Sequence, residues 1–105
     1  MKKIRILFID SSRDIREKIE YLLKRENDFE VEVGDDAVLA ISGAKEKKFD
    51  CIIIDTSKCD YNGLFFEDRE GNQMDFLERN GVEAILDIKK INPKQKVIAL
   101  TTNPF

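Results

Sequence analysis

Three polar residues stand at the ends of apolar runs. Asp10 follows Ile6-Leu7-Phe8-Ile9, Asp55 follows Cys51-Ile52-Ile53-Ile54, and Thr101 follows Val97-Ile98-Ala99-Leu100. Each run reads as a strand of a parallel sheet, and the C-terminal ends of parallel strands share one edge. Ligands of open α/β sheets bind at that edge, where the strand order reverses. With a strand order 2-1-3-4, Asp10 and Asp55 are neighbours across the reversal. Two carboxylates meeting there repel unless a cation or a shared proton intervenes. A hard cation such as Mg²⁺ suits such oxygen donors. Carboxylates with a Thr hydroxyl fit phosphoryl chemistry, in which an Asp can be the nucleophile and a metal neutralises charge. Taken singly, an Asp after an apolar strand is ordinarily a turn or cap residue. Only the convergence of all three on one edge argues for chemistry.

The composition excludes other classes. The chain has no His, so a His-based metal site, a His base and a Ser–His–Asp triad are ruled out within it. No Gly-rich phosphate loop follows the first strand, which argues against a nucleotide-binding protein. Cys51 and Cys59 do not make a disulfide framework, and Cys51, inside an apolar run, reads as a small buried hydrophobe. The net charge is −3, the pI is about 5.1, and Lys and Arg form no basic block. Direct binding to nucleic acid is therefore not expected. No apolar run approaches the roughly 20 residues of a membrane span. The start, Met1-Lys2-Lys3-Ile4-Arg5-Ile6, is basic and then apolar like a signal peptide, but Asp10 ends the apolar run too early. A cytoplasmic protein without a membrane partner is expected.

The elements that must position these residues alternate. After the first strand, Ser11 or Ser12 caps a helix over roughly 12–26, with Ile15, Ile19, Leu22 and Leu23 at helical spacing. Phe29, Val31 and Val33 alternate with Glu30 and Glu32, a strand near a sheet edge. Gly34-Asp35-Asp36 is a turn and cap, and Ala37 to Ala44 is a second helix ending in a cationic tail, Lys45 to Lys48. A further helix holds Val82, Ile85, Leu86, Ile88 and Ile91. Asn80 is its candidate cap, and Asn92-Pro93 ends it. The order β-α-β-α-β-insert-α-β predicts a parallel sheet with right-handed crossovers. The insert, roughly 57–80, is too long for a plain loop and carries Tyr61, Leu64, Phe65, Phe66, Met74, Phe76 and Leu77. Glu70-Gly71-Asn72 suits the turn of a hairpin between Leu64–Glu67 and Gln73–Phe76.

These segments, in this order, resemble the receiver domain of bacterial two-component response regulators. Ile6-Leu7-Phe8-Ile9-Asp10 is similar to the family's first strand and acidic turn. Cys51-Ile52-Ile53-Ile54-Asp55 is similar to its phosphoacceptor strand, Asn62-Gly63-Leu64 to its entry to the third helix, and Val97 to Thr101 to its fourth strand and switch Thr. Gly81-Val82-Glu83 with Ile88 to Pro93 resembles the third helix itself. The resemblance covers the chain except the insert. It implies a three-layer, flavodoxin-like, doubly wound α/β fold with strand order 2-1-3-4, here one receiver-like domain over 1–105 with an insertion around 57–80. It implies that Asp55 accepts a phosphoryl group from a histidine kinase or phosphotransfer protein. It further implies that Asp10, Asp55 and the backbone carbonyl of Ser57 hold Mg²⁺, and that Thr101 senses the phosphoryl group. Such a chain is a signalling domain rather than an enzyme, at most phosphorylating and dephosphorylating itself.

The departures from the family pattern weigh on those expectations. The second acid usual after the first strand is replaced by Ser11, and Cys59 stands in place of a Pro. Loss of a carboxylate weakens binding of a hard cation. The family's fifth strand, its phosphate-binding Lys and its last helices have no evident counterpart, beyond a faint likeness of Asn103-Pro104-Phe105 to the segment after that strand. The last strand is then an exposed apolar edge, and the expectation is either a homodimer, through that edge or through the insert, or a chain that is one fragment of a longer receiver. The alternative is a pseudo-receiver, the same fold used for dimerisation or docking without phosphorylation. An aspartyl-nucleophile phosphatase wants an acid two positions after Asp55, where Ser57 stands.

Overall fold

The computed structural model of the chain describes residues 2–56, 61, 66–67, 73–74 and 81–101. Strand β1 (Ile4–Ile9) lies between β2 (Phe29–Gly34) and β3 (Cys51–Asp55), and β6 (Lys96–Leu100) flanks β3. All pairings are parallel and give the order β2-β1-β3-β6. The four long strands are thus in the order 2-1-3-4 that the receiver resemblance implies. The ladder is in register throughout. Ile6 pairs with Val31 and Cys51, and Ile9 with Gly34 and Ile54.

Among the described residues, three helices cover the sheet. Helix α1 (Arg13–Lys24) begins at Ser12, whose hydroxyl accepts the Ile15 N–H at 3.4 Å. Helix α2 (Val38–Lys45) begins after an Asp36 turn, in which the Asp36 carboxylate accepts the Val38 N–H at 2.9 Å. Helix α3 (Gly81–Ile91) ends where Asn92 and Pro93 stop it. Its candidate cap, Asn80, lies outside the described residues. Strand alternation then sorts the core into two layers. Leu7, Ile9, Ile52 and Ile54 face α2 and α3 and pack with Ala40, Ile41, Ala44, Ala84 and Ile88. Ile6, Phe8, Val31 and Cys51 are buried on the opposite face, which carries α1.

The opposite face is less completely covered. Ile15, Ile19 and Leu23 of α1 are only half-buried, while Tyr21 and Leu22 are exposed. Leu22 therefore lies outside the apolar stripe that its spacing suggests. On β6, Ile98 and Leu100 remain 44% and 41% exposed. In α3, Val82 and Leu86 are exposed, so only Ala84, Ile88 and part of Ile85 form its inward stripe.

Of the insert, two short strands are described. β4 (Phe66–Glu67) and β5 (Gln73–Met74) pair antiparallel, Phe66 with Met74 and Glu67 with Gln73. They fall within the predicted hairpin arms, and its Glu70-Gly71-Asn72 turn lies outside the described residues. Tyr61 is buried in the main core, and its hydroxyl donates to the Asp87 carboxylate of α3 at 2.7 Å.

Candidate functional site

The β1 ladder carries on one step past the strand, since the Asp10 N–H donates to the Gly34 carbonyl at 3.1 Å. Asp10 is fully buried. Its Oδ1 accepts the Ser12 N–H at 2.7 Å, and its backbone carbonyl accepts from Arg16 Nη1 at 2.8 Å. The acid at the strand end, the turn and the helix cap are thus one hydrogen-bonded unit. Asp10 serves the turn, as a residue in that position ordinarily does, and still sits at the sheet edge. Arg16 was not legible as part of this unit, because its role depends on the turn bringing the first helical turn back over the strand end.

Asp55 is the last residue of β3 and is 2% exposed. Since Ile9 pairs with Ile54, Asp10, one residue past β1, and Asp55, at the end of β3, both stand one step beyond that pair. Adjacent strands run about 4.8 Å apart, so two buried acidic residues stand on neighbouring strand ends at the β1–β3 boundary, where the connections diverge. Asp55 also pairs with Leu100 of β6. The next residue, Thr56, donates both its N–H (2.8 Å) and its hydroxyl (3.0 Å) to the Leu100 carbonyl. Thr101 follows directly, exposed at the same edge. Thr56 was missed by sequence reasoning, and it ties the end of β3 to the residue before Thr101. Ser11 is exposed beside Asp10, and Ser57 lies outside the described residues.

The arrangement offers hard oxygen donors held by rigid strands. Two buried carboxylates side by side are a costly pairing that a bound cation relieves. Among the described residues no group of three or more acidic, Cys or His side chains converges. Carboxylate oxygens are the donor type that a hard divalent cation such as Mg²⁺ takes, with water completing its shell.

No family model and no curated protein matches the chain. Solved structures do. The signal receiver domain of an HD domain-containing protein from Pseudomonas fluorescens superposes with a TM-score of 0.69 at 18% identity, over 99% of this chain and 68% of that one. The response regulator domain of Thermotoga maritima CheB does so with a TM-score of 0.67 at 24% identity, over 96% and 62%. The isolated REC domain of RcsB from Salmonella enterica serovar Typhimurium, solved with the phosphomimetic BeF3⁻, gives 0.67 at 19%, over 99% and 65%. The chain has the receiver-domain fold. It spans about two thirds of the length of these receiver structures. Within the receiver fold, the edge that carries Asp10, Asp55 and Thr101 is the C-terminal edge of the central strands. No helix among the described residues is long and apolar enough to cross a membrane.

Proposed function

We propose that the chain is a single receiver domain over 1–105 that accepts a phosphoryl group on Asp55. The observation that carries this reading is the burial of Asp10, just past β1, and Asp55, at the end of β3, on neighbouring strands of a receiver fold. In the proposed transfer, a carboxylate oxygen of Asp55 attacks the phosphorus of a phosphohistidine. The N–P bond breaks, the imidazole leaves, and an acyl phosphate remains on Asp55. Asp10, Asp55 and the Ser57 carbonyl would hold Mg²⁺, which supplies charge neutralisation for the transferring phosphoryl oxygens. The N–H and hydroxyl of Thr56 hold β6 against the end of β3, so that Thr101 stands beside the modified residue to sense it. The donor is a histidine kinase or phosphotransfer protein, and the setting is cytoplasmic.

The test is intact mass after incubation with a small phosphodonor and Mg²⁺, beside an Asp55→Asn control. The expected result is a gain of one phosphoryl group in the parent alone. No gain in either protein favours the second reading, a pseudo-receiver used for docking or dimerisation. Ser11, exposed where the family places a second acid, supports that reading. In either case a second copy is proposed to pair along β6, the outer strand of the described sheet.

A further inference from the structure

The opposite end of the sheet from Asp10 and Asp55 gathers cations from separate parts of the chain. A cleft of about 310 Å³ opens there, between the start of β1, the end of α2 and the turn from α3 to β6. Arg5, Lys47, Lys94 and Lys96 line it, with Asp50 and Asn92. Lys2 lies near enough to act on the Asp50 carboxylate as well. Asp50 is the one acid among the described lining residues, and Arg5 already engages it. The Asp50 carboxylate accepts from the Arg5 N–H at 2.8 Å, from Nε at 3.3 Å and from Nη2 at 3.2 Å. Lys47, Lys94 and Lys96 form no ion pair with a described residue, whereas Lys24 and Lys48 do.

The rim is built on fixed backbone. Gln95 is 4% exposed, and its Nε2 donates to the Phe49 carbonyl at 3.2 Å and to the Lys96 carbonyl at 3.1 Å. Lys94 and Lys96 therefore flank an anchored residue. Lys47 occupies a costly position. It ends α2 in the left-handed region, at φ 53°. The Lys47 N–H donates to the Ala44 carbonyl and the Lys48 N–H to the Gly43 carbonyl, which is the capping pattern that glycine fills best. A lysine here sacrifices backbone stability and places an ammonium group at the cleft.

We infer that this cleft binds a compact anion carrying two or more phosphate groups. Ammonium groups act as point charges toward phosphate oxygens without a required orientation. The one planar guanidinium fork suited to a carboxylate is committed to Asp50. A volume near 310 Å³ is at the lower end of small-molecule sites. The site lies away from Asp55 and does not depend on the phosphoacceptor reading.

The experiment is calorimetric titration of the full chain with pyrophosphate, with a chelator present to remove divalent cations. The expected result is saturable binding that the double substitution Lys94→Ala/Lys96→Ala weakens about tenfold or more, while Asp55→Asn leaves it unchanged. Lys47→Gly separates ligand binding from mere structure. It is expected to raise the melting temperature by a few degrees and yet weaken pyrophosphate binding. A parallel titration with a nucleoside diphosphate identifies the source. Equal affinity points to free oligophosphate, and tighter binding to a nucleotide read through the same phosphates. Absence of saturable binding at millimolar pyrophosphate, or a Lys94/Lys96 double variant that binds like the parent, overturns the inference. Far-UV circular dichroism of each variant guards against a folding defect.

Discussion

Asp50 and Arg5 stitch β1 to the entry of β3 by side chain and backbone together. Besides the three bonds from Arg5 to the carboxylate, the Asp50 N–H donates to the Arg5 carbonyl at 2.8 Å. The Arg5 side chain, joined by its backbone N–H, holds the Asp50 carboxyl below the usual carboxylate range, and the same pair raises the Arg5 guanidinium. A carboxyl with a lowered folded-state pKa binds protons more readily when unfolded. Its stabilisation is therefore present at neutral pH and is lost as the pH falls through the lowered value. Asp50→Asn is expected to lower the melting temperature at pH 7 and to approach the parent as the pH falls through and below the ordinary carboxylate range. Thermal melts across that interval check this, and a gap that stays constant with pH would refute it. The adjacent Cys51 thiol is pushed up, chiefly by burial, in keeping with a packing role rather than a reactive one.

At the scale of elements, α1 depends on its ends. Ser12 caps it, Asp14 lies in its first turn and Lys24 in its last, each favourable to the helix dipole. Its exposed Arg13–Glu17 and Lys24–Glu20 pairs add little. Because α1 buries no residue completely, its cap carries an unusual share of its hold. Ser12→Ala is expected to cost about 1 kcal/mol, read as a lower urea midpoint at unchanged slope. It also loosens the turn whose Ser12 N–H donates to Asp10, so on the proposed function phosphoryl uptake by this variant is expected to slow. An unchanged midpoint would show that α1 is held by packing alone. Helix α2 shows the contrasting case. Gly43 sits against the Phe49 ring, where an added Cβ would lie 2.6 Å from a ring carbon. The close approach lets α2 settle on the sheet with a short inward face of Ala40, Ile41 and Ala44.

At the scale of the whole molecule, charge and apolar surface are unevenly placed. One end of the sheet holds buried carboxylates and the other a cluster of ammonium groups, although the chain as a whole carries only −3. The face beside α1 leaves Ile98 and Leu100 of β6 partly open. A two-fold related copy pairing along β6 would continue the sheet and cover this surface. Sedimentation velocity across a wide concentration range is expected to show monomer passing to dimer. Replacing Ile98 by Lys is expected to abolish the larger species, and a monomer at every concentration would rule this pairing out.

Much of the fold was legible in the sequence because its signals are local. The apolar runs mark β1, β3 and β6, the Glu30/Glu32 alternation marks β2 as an edge, and Ser12, Asp36 and Pro93 mark helix ends. The resemblance then supplied the order 2-1-3-4, which the sheet bears out, and with it the expectation that Asp10 and Asp55 end neighbouring strands. What the sequence could not express is proximity between residues far apart in the chain. Periodicity does not say that α1 meets only part of its face, so Leu22 reads as inward and is exposed. Nor does the chain contain a basic block. Arg5, Lys47, Lys94 and Lys96 form one because parallel strands bring the starts of β1 and β6 and the exit of α2 to the same end. Residue type and spacing determined the strands, the caps and the candidate acids. Only the tertiary structure decided which charges share a cleft, because that depends on crossovers joining residues that have no neighbourhood in sequence.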